Sequence, residues 1–171
     1  MKLASYKGSR PGIYRIGNGL IRWRFSGLYS HSEVVFEPGD GVDGLMPDKT
    51  CAPTGAGYWC ASSVAFETMP AWSPYRAGRT GGVRFMRRPL MATDFDLIDV
   101  HRDPAKAATW FADHQGEPYS WRLVAEFIAW LVSMARGTGE WDCSHACAAA
   151  FGHEEPWRFD PVLLAQVEKD R

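Results

Sequence analysis

The amino-acid sequence predicts an α+β fold, with strands in the first part of the chain and helices in the second. Before residue 101, short runs alternate apolar and polar side chains, whereas from residue 103 the apolar positions recur with the period of a helix. The 171 residues, 46% of them apolar and 23% charged, are typical of one globular domain rather than of a disordered or fibrous chain. We therefore expect residues 1–171 to form a single domain.

The first predicted strand is 29–36, with the sequence YSHSEVVF. Alternation divides its side chains between two faces, one with His31, Glu33 and Val35 and the other with Ser32, Val34 and Phe36. The turn-rich segment 37–44 ends this strand. Further strands are predicted at 58–66, 82–88 and 95–101, and the loops between these three are of a length typical of an antiparallel meander.

Two helices are predicted by the same dipeptide, an Asp that caps the helix and a Pro at its first position. Asp103 and Pro104 begin one helix, which continues to a stop at Gly116. Asp160 and Pro161 begin a short helix near the end of the sequence.

Two other helices lie between these. Segment 120–136 is apolar nearly all round, which is typical of a helix buried in a core or pressed against a partner. The last begins at Asp142 or Cys143 and ends near Gly152, so we assign the segment 142–152 to it.

The distribution of charge bears on partners. The formal net charge is −1, but residues 1–30 hold six cations and no acid, and residues 75–88 hold five more. Segregated charge of this kind suits a docking surface for an anionic polymer or partner, although solvated strands and loops explain the basic segment 1–28 equally well. No repeated pattern of stacking aromatics accompanies the cations, so we expect no nucleic-acid partner.

The sequence also bears on location. No apolar run has the ~18–20 residues of a membrane span, and Met1–Arg10 lacks the pattern of a signal peptide. We expect a protein that is made and folded in a cytoplasm. Its four cysteines, Cys51, Cys60, Cys143 and Cys147, are then expected to be thiols.

The segment around Cys143 and Cys147 is the strongest candidate for chemistry. These cysteines flank His145, but the two-residue spacing of zinc sites is absent, so we expect no metal and no cofactor. If Asp142 caps the helix, Cys143 lies in its first turn, where the free N–H groups and the helix dipole favour a thiolate. A buried, unreactive cysteine is an equally good interpretation of Cys143, and Cys147 is expected in the core.

A thiol nucleophile needs a base, and His31 is the first candidate because Glu33 lies on the same face of its strand. His101, at the end of another strand, is the second candidate. We expect surface or capping roles for His114 and His153, next to glycines that end helices, and we expect His145 to point away from Cys143. An isolated strand histidine is often purely structural, so His31 gains weight only through Cys143.

Three segments together resemble a known family: YSHSEVVF at 29–36, GEPYSW at 116–121, and Asp142-Cys143-Ser144. The resemblance is to the circularly permuted branch of NlpC-like papain-fold cysteine peptidases and amidases, which includes YiiX-like hydrolases and lecithin:retinol acyltransferase-like proteins. It is closest to small proteins of tailed phages and prophages and spans about residues 29–152. It implies a permuted papain-like fold, with an antiparallel sheet packed on the helix that carries the cysteine.

The resemblance also implies roles for individual residues. Cys143 would be the nucleophile and His31 the general base and later the general acid. Glu33 is the first choice for the third residue that orients the imidazole, with Glu67 and the pair Ser62 and Ser63 as alternatives. The surroundings of the substrate and of the oxyanion would be formed by Asp142, Ser144, Tyr119 and Trp141.

The function implied is hydrolysis of peptide-type amide bonds, with peptidoglycan stem peptides as substrate, by an enzyme associated with a phage tail or virion. Other phage tail proteins are then expected partners. Two alternatives stay open. The domain would be a catalytically idle, papain-like component of tail assembly, or an acyltransferase or deamidase that uses the same Cys and His.

Overall fold

The computed structural model describes residues 1–8, 13–71, 73, 77–122 and 139–170, apart from the side chains of residues 13–17 and 25. A five-stranded antiparallel sheet and, within these residues, four α-helices make up the fold. The α+β class and the antiparallel sheet predicted from the sequence are therefore confirmed.

The strands are β1 Lys2–Tyr6, β2 His31–Phe36, β3 Tyr58–Thr68, β4 Thr80–Arg88 and β5 Phe95–Asp99. The helices are α1 Ile13–Phe25, α2 Pro104–Asp113, α3 Cys143–Ala150 and α4 Pro161–Lys169, with short 3-10 turns at Asp43–Leu45 and Pro156–Arg158. Strands β2 to β5 and helices α2 to α4 lie where the sequence predicts them. The predicted helix 120–136 falls almost entirely outside the described residues, although Trp121 and Arg122 are helical.

The capping predictions are confirmed at all three Asp residues. Asp103 and Asp160 each accept two backbone N–H groups of the first turn that follows. Asp142 accepts the backbone N–H of His145, which begins α3 at Cys143. A helix start that depends on one side chain and its own neighbours can be read from sequence alone.

The first 28 residues were assigned no individual strand or helix from the sequence, and the structure has one of each there. Strand β1 is an interior strand, between β2 and β5 in the order β4-β3-β2-β1-β5. Helix α1 follows it, although its sequence contains Gly17, Asn18 and Gly19, which are typical of turns. A five-residue strand has too few residues for its alternation to be distinctive, and its interior position depends on the neighbours that pair with it.

The order of the sheet also corrects the predicted meander. Strands β3 and β4 are neighbours, with Ser62 opposite Arg84. Strand β5 instead pairs with β1, with Phe95 opposite Tyr6, at the other edge of the sheet. Loop lengths alone do not specify the pairing of β5 with β1, because the two strands are far apart in the sequence.

The two faces of the sheet differ. Val34 and Phe36 of β2 belong to a large apolar core that α2 and α3 share, with Phe85, Phe111 and Cys147 among its fully buried members. Small residues of α3, among them Ala146 and Ala148, allow close packing on this face. The opposite face carries a smaller apolar cluster that includes Val35, and it also carries the side chains of His31 and Glu33.

Candidate functional site

Cys143 is the first residue of α3, and the cap on this helix is well formed. Asp142 Oδ1 accepts the backbone N–H of His145 at 2.9 Å and the hydroxyl of Ser144 at 3.1 Å. The carboxylate thus satisfies part of the first turn, where N–H groups have no partner inside the helix. Asp142 and Ser144, both predicted site residues, therefore hold the helix turn in which Cys143 lies.

The Cys143 thiol is only 6% exposed. Burial raises its pKa, and the charge of Asp142 raises it further. Hydrogen bonding from the backbone of Ser32, of Ser144 and of Cys143 itself favours the thiolate, but does not outweigh burial. The pKa of the Cys143 thiol is therefore raised, whereas the helix dipole was expected to lower it. Cys143 is a neutral thiol at pH 7, so nucleophilic attack requires a base.

The backbone at the start of β2 lies against this thiol, because the Cys143 sulfur interacts with the amide that joins His31 to Ser32. The His31 side chain, however, points to the face of the sheet opposite the one on which α3 packs. Within the part of the chain that the structure describes, no hydrogen bond joins the thiol and the imidazole.

The His31 ring is instead held by Glu33. Nε2 of His31 lies 3.0 Å from Oε1 of Glu33, and the imidazole is 17% exposed while the carboxylate is fully buried. Burial opposes ionisation of Glu33, but the charges of Arg84 and Arg88 outweigh it and hold the pKa well below its usual value. An ionised carboxylate only accepts hydrogen bonds, so neutral His31 carries its proton on Nε2 and has a basic Nδ1.

Glu67, an alternative for the third residue, lies in the same charged cluster. Its carboxylate accepts hydrogen bonds from Arg84 Nη2 at 2.7 Å and from Arg88. Both arginines also contact Glu33. The structure thus places Glu33 against the imidazole of His31, and places Glu67 against the arginines that surround Glu33.

The two serine alternatives bond to backbone. Ser62 Oγ donates to the carbonyl of Ser32 at 2.7 Å. Ser63 Oγ donates to the carbonyl of Trp141 at 2.6 Å. Ser63 therefore fixes the segment that leads into Cys143, a role that the sequence did not indicate.

Tyr119 and Trp141 border the cysteine. They form an isolated parallel β-bridge, in which the N–H of Trp141 donates to Pro118 and the N–H of Ser120 donates to Trp141, both at 3.1 Å. Burial raises the pKa of Tyr119, and the nearby charges of Cys143 and Asp142 raise it further. Both predicted residues thus lie beside the thiol.

An aromatic cluster near the site was not predicted. Trp110 of α2 packs edge to face on Trp141, with ring centroids 4.8 Å apart, and stacks on His114 at 4.1 Å. The spacing of Trp110 and His114 by one helical turn is the sequence signal that could have indicated their contact. This cluster supports Trp141 from the side of α2.

The remaining histidines have other partners. His114 Nδ1 lies 2.8 Å from the carbonyl of Trp110, at the end of α2, which agrees with the predicted capping role. His145 is 2% exposed and its Nδ1 lies 3.3 Å from Asp142 Oδ2. His153 is not a surface side chain, because its Nε2 lies 2.8 Å from the buried carboxylate of Glu168. Its backbone N–H does cap the end of α3, since it donates to the carbonyl of Ala148.

Among the described residues, no group of three or more His, Cys, Asp or Glu side chains is placed to hold a metal ion. All four cysteines have free thiols. No helix within the described ranges combines the length and the apolar character needed to cross a membrane.

Comparison with protein-family models, curated proteins and solved structures gives no match to this chain.

Proposed function

We propose that this protein is a cysteine hydrolase that cleaves peptide-type amide bonds, with Cys143 as nucleophile and His31 as base. One arrangement carries the proposal. The Cys143 thiol lies at the capped start of α3, against the peptide bond that follows His31, and the His31 ring is held by a buried, ionised Glu33. Nucleophile, base and orienting carboxylate are the three parts that thiol acyl transfer needs.

The mechanism starts from the neutral thiol. His31 is the first residue of β2, and its ring must reach the thiol around the end of that strand. Nδ1 then takes the thiol proton as the Cys143 sulfur attacks the carbonyl carbon of the substrate amide. The oxyanion of the tetrahedral intermediate is bound by N–H groups in the first turn of α3, which have no partner within the helix. His31 then gives the proton to the leaving amine, the C–N bond breaks, and a thioester of Cys143 forms.

Water completes the reaction. His31 removes a proton from a water molecule that attacks the thioester carbonyl, the C–S bond breaks, and the carboxylic acid and the thiol are released. Throughout, Glu33 accepts the hydrogen bond from Nε2 and stabilises the imidazolium that forms transiently.

The resemblance to permuted NlpC-like enzymes supports peptidoglycan stem peptides as the substrate class and a phage tail or virion as the setting. The basic segment 1–28 would then dock other tail proteins or an anionic wall polymer. In the basic segment 75–88, by contrast, Arg84, Arg87 and Arg88 are each paired with a carboxylate of this chain. The same Cys and His would serve an acyltransferase or deamidase, in which a different acceptor resolves the thioester or ammonia leaves.

One observation favours a second candidate, a catalytically idle papain-like component of tail assembly. Burial of the Cys143 thiol and its raised pKa are also what a purely structural cysteine shows. In that case α3 would serve only to pack the sheet, and Cys143 would react no faster than the buried Cys147.

Site-resolved alkylation by iodoacetamide, measured by mass spectrometry from pH 6 to pH 10, separates the candidates. The internal controls are Cys147, whose pKa burial raises, and Cys51, whose pKa burial raises to about 11. We expect Cys143 to react fastest, and we expect its rate at pH 7 to fall about tenfold in His31→Ala but not in His101→Ala. Equal rates at Cys143 and Cys147 in the folded protein would establish the idle component instead.

Activity is tested on peptidoglycan fragments by mass spectrometry of the products. Cleavage of a stem-peptide amide adds one water and exposes one new amine. We expect this product with the wild type and not with Cys143→Ser, a variant that changes a single atom of the side chain. A product that persists in Cys143→Ser would exclude Cys143 as the nucleophile.

A further inference from the structure

A buried network of two carboxylates and two guanidinium groups lies beneath the His31 ring. Arg84 is completely buried, with Nη1 3.3 Å from one Glu33 oxygen and Nη2 3.3 Å from the other. Its Nε and Nη2 also donate to Glu67 Oε2, at 3.1 Å and 2.7 Å. Arg88 adds a second cation, with Nε 3.1 Å from Glu33 Oε1.

The sheet makes this network possible. Arg84 lies on β4 and Glu33 on β2, with β3 between them. The β3 residue opposite Arg84 is Ser62, whose small side chain turns its hydroxyl to the backbone of β2. The long arginine side chain therefore extends across β3 to Glu33.

The network controls the charge on Glu33. A carboxyl group that is fully buried without a cation becomes neutral, because the protein interior solvates the charge poorly. A neutral carboxyl can donate as well as accept, and would no longer specify which nitrogen of His31 carries the proton. Oε1 of Glu33 contacts both the imidazole and Arg88, so the cations act on the same atom that orients His31.

We propose that Arg84, assisted by Arg88, is a positioning residue of the Cys143 site: it keeps Glu33 an ionised acceptor and thereby fixes the His31 proton on Nε2 and the basic lone pair on Nδ1. This inference rests on the proposed function and adds to it a residue from β4, two strands away from His31. Arg84 touches neither the thiol nor the substrate in this scheme, and acts through Glu33 alone.

The competing explanation is a purely structural cross-link between strands β2 and β4. A comparable cluster serves as a control for stability. Arg102 contacts Glu168 through Nε at 3.1 Å and Nη2 at 2.8 Å, and Glu168 also contacts His153. Glu168 lies on α4, Arg102 in the segment between β5 and α2, and His153 just after the end of α3.

The test compares Arg84→Gln with Arg102→Gln. Glutamine removes the positive charge that keeps Glu33 ionised and leaves a polar side chain in its place. The tautomer of His31 is read from its ring-nitrogen NMR chemical shifts, and the Cys143 alkylation rate is read at pH 7. We expect Arg84→Gln to populate both tautomers and to slow alkylation about tenfold, whereas Arg102→Gln changes neither readout.

An unchanged tautomer and alkylation rate in folded Arg84→Gln would overturn the proposal and leave a structural cross-link. If Arg84→Gln does not fold, Arg88→Gln applies the same test at a partly exposed position. The proposed function fails separately, namely if alkylation of Cys143 in the wild type is insensitive to His31→Ala. The tautomer readout would then still report whether Arg84 acts on His31.

Discussion

His31 and Glu33 lie two residues apart on β2, and their side chains meet on one face of the sheet with Nε2 3.0 Å from Oε1. The imidazole is partly open to solvent and the carboxylate is fully buried. This pairing links the edge of the candidate site to a charged network inside the protein. It also makes several expectations testable.

The charge of Asp142 is expected to suppress the reactivity of Cys143. Burial raises the thiol pKa and the nearby carboxylate raises it further, so Asp142→Asn, which removes the charge but retains a capping side chain, should lower that pKa. Alkylation of Cys143 at pH 8 should then be about threefold to tenfold faster. Asp103→Asn changes the equivalent cap of α2 and should leave the rate unaltered; a slower rate in Asp142→Asn would contradict the electrostatic account.

Glu33 is expected to make the free energy of unfolding depend on pH below about 4.5. Its pKa in the folded protein is depressed, so its contribution is fully present above the ordinary value of 4.5 and is lost as pH falls through the folded value. Glu33→Gln removes this contribution and leaves the buried Arg84 and the partly exposed Arg88 with one carboxylate, which should cost about 3 kcal/mol in unfolding free energy at pH 7.

Urea unfolding at pH 7, 5 and 3.5 tests this expectation. The wild type should lose free energy of unfolding more steeply below pH 4.5 than Glu33→Gln does. Equal slopes in the two proteins would show that Glu33 is not an ionised, stabilised group in the folded state.

The identity of the third residue is testable among its alternatives. Ser62→Ala removes a hydroxyl shared between the carbonyls of Ser32 and Ser63, and Ser63→Ala removes one that donates to the carbonyl of Trp141. Each change should lower stability by about 1 kcal/mol. Neither should change the tautomer of His31, whereas Glu33→Gln should, since the amide can accept or donate. A tautomer change in either serine variant, with none in Glu33→Gln, would move the orienting role away from Glu33.

Two glycines in the turn before β3, Gly55 and Gly57, are expected to differ in how much substitution by alanine lowers stability. Gly57 has φ +96°, and a Cβ atom there would lie 2.0 Å from the carbonyl oxygen of Arg88. Gly57→Ala should therefore lower the free energy of unfolding by about 2–4 kcal/mol. At Gly55 an added Cβ meets nothing within 4 Å, so Gly55→Ala should change thermal stability little. Comparable melting temperatures for the two variants would contradict this geometry.

Much of the fold could be predicted because its signals are local. The caps at Asp103, Asp142 and Asp160 each depend on a side chain and the N–H groups two or three residues later. The alternation along β2 correctly separated His31 and Glu33 from Val34, since successive side chains of a strand point to opposite faces. Strand β1 was missed, because a short run such as Lys2–Tyr6 is identified as a strand only by the partners on either side of it.

For the candidate site, the sequence by itself determined that Cys143 begins a capped helix and that His31 and Glu33 share one face of a strand. Both facts follow from contacts between near neighbours in the chain. Only the tertiary structure decided that burial raises the pKa of Cys143, and that Arg84 and Arg88 keep Glu33 ionised. Desolvation and charge pairing depend on which distant segments pack together, and sequence spacing does not specify that packing.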